Sequence, residues 1–167
     1  MSLSRRTVGL ILLACLALGL RVCVVTVLRS EHAAPVAYEH GRIAENLLAG
    51  RGFSIEFLGT EGPTSQQAPF YPGLLAVAYW CLGVNTPQAL LGVQLLQCIA
   101  GTGLVLAVAW LGWSMVPDRR AVGWIAGLGA AVYPTHLYMV THLQVVLWAA
   151  LLLTLLVAVV VSPRWRA

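Results

Sequence analysis

The chain has no lysine and a single aspartate, Asp118. Its other acids, Glu31, Glu39, Glu45, Glu56 and Glu61, all fall in one stretch from Arg29 to Pro72. Charged residues make up 10% of the chain and apolar ones 59%, against about 25% and about 45–50% in globular domains. That balance excludes an ordinary soluble fold. The net charge of +4 comes from arginines beside apolar runs, a placement that reports membrane topology rather than nucleic-acid binding. Cysteine is sparse too. Cys15, Cys23, Cys81 and Cys98 lie in apolar stretches without CxxC or CxxxC spacing, which argues against a metal centre or disulfide framework. They read as small hydrophobes buried in helices. No glycine-rich phosphate loop, nucleophile elbow or dinucleotide fingerprint is present.

What remains is a series of apolar runs, several of them long enough to cross a bilayer. Thr7 to Leu28 forms the first, behind Arg5 and Arg6. It imitates a secretory signal, but no A-x-A site follows and apolar sequence resumes, so an uncleaved span is expected over 1–28. Arg21 interrupts it. An arginine there either snorkels to the interface or faces a cavity and pairs with a loop carboxylate. Pro87 to Val116, Ala121 to Val140 (with Pro134 in its second half) and Leu143 to Val161 give three further spans over 87–167. Glycines recur along them at positions such as Gly101, Gly112, Gly123 and Gly127, a pattern that suits close helix packing.

Between the first span and the rest lies a polar loop, 29–86. Val36, Ala37, His40, Ile43, Ala44, Leu47 and Leu48 recur at helical spacing and predict an amphipathic helix over 36–49 in the interface plane. Gly50 and Gly52 end it. Phe53 to Phe57 is strand-like, and Gly59 to Gln67 is turn and loop. The apolar segment at 70–84 is short for a span, at about 1.5 Å per residue against a core of about 30 Å. With Arg5 and Arg6 in the cytoplasm, an interfacial helix at 70–84 keeps Arg119, Arg120, Arg164 and Arg166 cytoplasmic as well. The expected fold is therefore an all-α polytopic membrane protein of about four transmembrane helices, with interfacial helices in the first extracytoplasmic loop. All five glutamates then face outward, as does the turn from His136 to Gln144.

Glu39 is the acid to single out. It lies on the polar side of the amphipathic helix beside Tyr38 and His40, with Arg42 one turn on. A carboxylate held at a membrane surface can act as a general base. From spacing alone the plainer reading, a solvated surface group paired with Arg42, is preferred. His136 and His142 are six apart, a poor match for two metal ligands on one helical face. No cofactor is expected, and a divalent metal is not indicated.

The order of these pieces is distinctive: a first span, then YEHGRIAENLLAGRGFS, EGPT and APFYPGLL, then hydrophobic helices. It resembles the N-terminal part of GT-C superfamily membrane glycosyltransferases, in the group related to dolichyl-phosphate-mannose protein mannosyltransferases (glycosyltransferase family 39). The resemblance implies sugar transfer from a polyprenyl-phosphate donor to an acceptor of unknown type at the outer face of a bacterial inner membrane. It makes Glu39 the loop-one acid and candidate base, where the family often has aspartate. Ile43-Ala44 and Leu47 through Phe53 match the helix and glycine turn, and Pro69, Tyr71 and Pro72 the loop exit. Arg42 and Arg51 become candidates for the donor phosphate, and Tyr71, His136 and Gln144 further substrate contacts. The family often has a second acid near the position of Gln144; an amide there cannot be a base. Family members have more spans, so the resemblance also implies that 1–167 is the N-terminal portion of a longer transferase. Continuation of the reading frame past Ala167 into further spans would favour that view. The alternative from another class is a small non-catalytic integral membrane protein, a subunit or scaffold.

Overall fold

A computed structural model describes residues 4–28, 38–57 and 59–162. Glu31-His32, the first two positions of the expected 36–49 helix, and Arg164 and Arg166 lie outside these residues. The described chain is mostly helical, with seven helices. They are α1 (Arg5–Val27), α2 (Tyr38–Leu48), α3 (Phe70–Leu82), α4 (Pro87–Met115), α5 (Arg120–Val132), α6 (Pro134–Met139) and α7 (Val146–Val161). An antiparallel hairpin, β1 (Ser54–Phe57) and β2 (Thr60–Pro63), pairs Ser54 with Pro63 and Phe57 with Thr60. The loop is thus not all helix. Its strand-like run finds a partner because Gly59 takes a positive φ of 79° and turns the chain back.

By length and composition, α1 and α4 could each cross a membrane. Ser4 caps α1 by accepting from the Thr7 N–H at 3.1 Å, and Thr86 caps α4 through the Ala89 N–H at 3.2 Å with Pro87 in its first turn. The helix α4 is the axis of the fold. Against it pack α1 and α5 at one end, through Leu13, Ala17, Val105, Ala109 and Ala131. Nearer the other end α1, α6 and α7 close around Val25, Cys98, Leu104, Val140 and Leu147. Glycine sets the closest approach: a Cβ on Gly112 would stand 2.9 Å from the Cα of Gly123, so α4 and α5 meet almost backbone to backbone.

Two expected spans come out differently. The segment Ala121 to Val140 is broken at Tyr133-Pro134 into α5 and α6. Proline has no N–H to continue the ladder and forces the residue before it out of the helical region. Tyr133 accordingly sits at φ −65°, ψ 117°. At 13 residues, α5 is about 20 Å long. The last helix starts at Val146 rather than Leu143, because 140–144 is a turn held by Thr141 N–H to Tyr138 O at 3.1 Å and His142 N–H to Met139 O at 3.3 Å.

The outward faces of the bundle are apolar: Leu12 on α1 is 64% exposed, Ile125 on α5 69% and Leu153 on α7 62%. Three of the four cysteines share these faces. Cys15, Cys23 and Cys81 are exposed and only Cys98 is buried, which corrects the reading of all four as buried hydrophobes. The two ends differ sharply in charge. Arg5, Arg6 and Arg120 gather with Trp113 and Trp124 at the end where α1 begins and α4 meets α5. Glu39, Glu45, Glu56 and Glu61 lie at the other end, on α2 and the hairpin.

Candidate functional site

The helix α2 lies on α3 through its apolar side. Ala44 joins Tyr71, Leu75 and Tyr79 of α3 and Ala89, Leu90 and Val93 of α4 in one buried cluster. His40 and Ile43, placed by their spacing on the same side, are also buried, while Leu48 is exposed. The His40 ring meets Tyr71 edge-on at 5.0 Å. Burial lowers the His40 pKa from its ordinary value, against an opposing pull from Glu39. The neutral ring is the form that fits this contact.

The hairpin is fixed to α2 from below. The buried Asn46 amide donates to Ser54 O at 3.0 Å and to Ser54 Oγ at 3.1 Å. Gly50 and Gly52, at φ 74° and 73°, swing the chain from α2 into β1, conformations that L side chains rarely adopt. Between α2, the hairpin and Asn85 opens a groove of about 730 Å³ lined by polar side chains.

Glu39, Arg42 and Arg51 all line this groove. Arg42 pairs forward with Glu45 at 3.9 Å rather than back with Glu39, and Asn85 donates to the same Glu45 at 2.6 Å. Arg51 pairs with Glu61 at 3.4 Å. Glu56 stands directly across the hairpin from Glu61, a like-charge opposition that Arg51 offsets. Two groove carboxylates, Glu39 and Glu56, have no ion pair or hydrogen bond among the described residues. Glu39 is exposed to solvent, so the groove leaves it accessible rather than desolvated.

No family model, curated protein or solved structure matches the chain. The chemistry of the site is therefore read from its geometry.

Tyr71, His136 and Gln144 lie outside the groove lining. Tyr71 is wholly buried and its hydroxyl donates to Gln97 Oε1 at 2.6 Å. Gln97 in turn donates to the carbonyls of Val140 at 3.0 Å and His142 at 2.7 Å, and Gln94 donates to Thr141 O at 2.8 Å. The two glutamines, one turn apart on α4, take up carbonyls that the 140–144 turn leaves outside a helix. Tyr71 is thus a strut joining α3 to that turn. Gln144 lies half-buried in the same turn, its N–H bonded to His142 O at 2.9 Å. His136 packs edge-on to Tyr133 at 4.9 Å, and its buried Nδ1 has no hydrogen bond among the described residues.

Arg21 does not snorkel to an interface, and the loop's Glu31 lies outside the described residues. It is wholly buried, with a guanidinium nitrogen donating to Ala17 O at 2.9 Å within its own helix. A Cβ on Gly101 would stand 2.5 Å from its Nε, so the glycine on α4 makes the room. Among the described residues it has no carboxylate partner.

Groove residues that sequence reasoning missed are Glu45, Asn46, Glu56, Glu61 and Asn85. The signal for the hairpin was the strand-like SIEF run ahead of Gly59. Nothing local marks Asn85, which is 40 positions from the Glu45 it meets.

Proposed function

We propose that this chain is a four-span membrane protein whose acidic groove is the acceptor side of a sugar-transfer site at the outer face of the membrane. The spans are α1, α4, α5 continued by α6, and α7. Apolar side chains on their outward faces and the gathering of arginines at one end support that topology. The groove then lies outside, and the arginine end is cytoplasmic.

The observation that carries the reading is an accessible carboxylate, Glu39, in an open groove whose two arginines are held by other acids. The donor is a sugar on a polyprenyl phosphate, already activated, so no nucleotide enters. The Glu39 carboxylate takes the proton from the acceptor O–H or N–H. The acceptor atom bonds to the anomeric carbon, the bond from that carbon to the phosphate oxygen breaks, and the polyprenyl phosphate leaves with inversion. Arg42 and Arg51, which line the same groove, supply the cations for the developing phosphate charge. Donor contacts beyond the groove come from parts of a longer transferase.

In membranes carrying the full reading frame, Glu39→Gln abolishes transfer from a labelled polyprenyl-phosphate sugar and leaves membrane insertion intact. Transfer at the wild-type rate removes Glu39 from the role of base. If Glu56→Gln is the variant that fails instead, the base is on the hairpin. If wild type transfers nothing, the non-catalytic membrane protein is the better account.

A further inference from the structure

The arginine-rich end carries a second, independent feature. Arg5 and Arg6 from α1, Trp113 from the end of α4, Pro117 from the turn after it, and Arg120 and Trp124 from α5 line a pocket of about 420 Å³. It is built rather than incidental. The Trp113 indole N–H donates to Arg120 O at 2.9 Å, its ring meets Trp124 at a steep angle with centroids 5.0 Å apart, and the Arg6 guanidinium lies 4.9 Å from its centroid. None of the three arginines has an ion pair among the described residues, although Asp118 is two positions away from Arg120. Three guanidinium groups without a carboxylate partner around a concave surface suit an anion.

The character of that anion follows from what adjoins the pocket. Trp124 also forms one wall of an apolar groove of about 250 Å³, lined otherwise by Gly9, Leu12, Leu13, Leu16 and Leu128. The two cavities share that side chain. A Cβ on Gly9 would meet the Trp124 ring at 2.7 Å, so glycine is what lets the indole lie across the junction. From Gly9 to Leu16 the groove follows α1 for about 10 Å, toward the middle of the bundle. A free phosphate would use only the basic half.

We propose that this composite cavity binds one anionic phospholipid, its phosphate among Arg5, Arg6 and Arg120 and one acyl chain in the α1–α5 groove. Charge complementarity selects the head, since basic pockets between membrane helices attract anionic headgroups. Continuity with the apolar groove selects a lipid over a soluble anion. The site needs the helices to lie in a membrane, but it does not depend on sugar transfer at the opposite end.

The test is native mass spectrometry of the detergent-solubilised protein after exchange into phosphatidylglycerol or phosphatidylcholine. One phosphatidylglycerol stays bound to wild type under conditions that strip phosphatidylcholine. Retention weakens roughly fivefold for each arginine neutralised, so R6Q/R120Q loses the adduct while R6K/R120K keeps most of it. Inorganic phosphate at the same concentration neither binds as a single adduct nor displaces the lipid. Retention by R6Q/R120Q equal to wild type, or equal retention of the two lipids, overturns the proposal, and displacement by phosphate alone reduces the site to an anion pocket and overturns it too. Should R6Q/R120Q fail to fold, wild type decides. Brominated phosphatidylglycerol must quench tryptophan emission more than brominated phosphatidylcholine does, and W124F must remove that excess; equal quenching by the two lipids refutes the site.

Discussion

Gln97→Leu should be among the most damaging single changes in the bundle, although it makes an apolar helix more apolar. Gln97 is wholly buried, accepts from the Tyr71 hydroxyl at 2.6 Å and donates to two carbonyls of the 140–144 turn at 3.0 and 2.7 Å. Leucine fills a similar volume but strands the Tyr71 hydroxyl and the Val140 carbonyl, while the His142 carbonyl keeps only its bond from the Gln144 N–H. A side-chain hydrogen bond between membrane helices is worth about 0.6 kcal/mol on average and up to about 1.7, and a buried group left unsatisfied costs about 1–3 kcal/mol. Three lost bonds therefore put the loss at about 2–5 kcal/mol. Tyr71→Phe strands only the Gln97 oxygen and should cost about 1 kcal/mol. The double variant should be less destabilised than Gln97→Leu alone, because phenylalanine removes the orphaned hydroxyl. Equilibrium unfolding in mixed detergent micelles, followed by circular dichroism, measures all three. A Gln97→Leu cost within about 0.5 kcal/mol of zero, or a Tyr71→Phe cost equal to it, would refute this reasoning.

Protonating the buried His40 would place an unpaired cation against Tyr71. Because burial lowers its folded-state pKa, the unfolded chain binds the proton more readily, so stability is full above about pH 6.5 and falls as the pH drops below it. His40→Phe should flatten that dependence between pH 7 and 5 in the same unfolding assay; an unchanged slope would show that other groups cause it. The outward placement of the loop has its own check. A cysteine at the exposed Ser65 should react with a membrane-impermeant thiol reagent from the outside only, and labelling from the cytoplasmic side would invert the topology.

Much of the helical frame is legible in the sequence because long apolar helices announce themselves by uninterrupted apolarity. The run Thr7 to Leu28 becomes Arg5–Val27, Pro87 to Val116 becomes Pro87–Met115, and the short 70–84 segment becomes Phe70–Leu82. Periodicity also places His40, Ile43 and Ala44 on the buried side of α2. Tertiary pairing accounts for most of what it does not show. Pro134 lies in plain view in the sequence, but the turn that follows it is stabilised by Gln94 and Gln97 from another helix, and only the fold brings them there. Arg21 could be buried because Gly101, 80 positions away, leaves space for its side chain. Glu39, Arg42 and Arg51 are recognisable from local spacing and motif, whereas Glu56 and Asn85 join the groove through the hairpin turn and the α3–α4 connection. Tyr71 was legible as special, but its role lies in the hydroxyl's bond to Gln97 and not in the groove.

The most direct test of the central claim offers the full-length protein two activated forms of one labelled sugar. In sealed vesicles with the groove face accessible, transfer should proceed from the polyprenyl-phosphate sugar and not from the corresponding nucleotide sugar. Transfer from the nucleotide sugar, or from neither donor, would contradict the account.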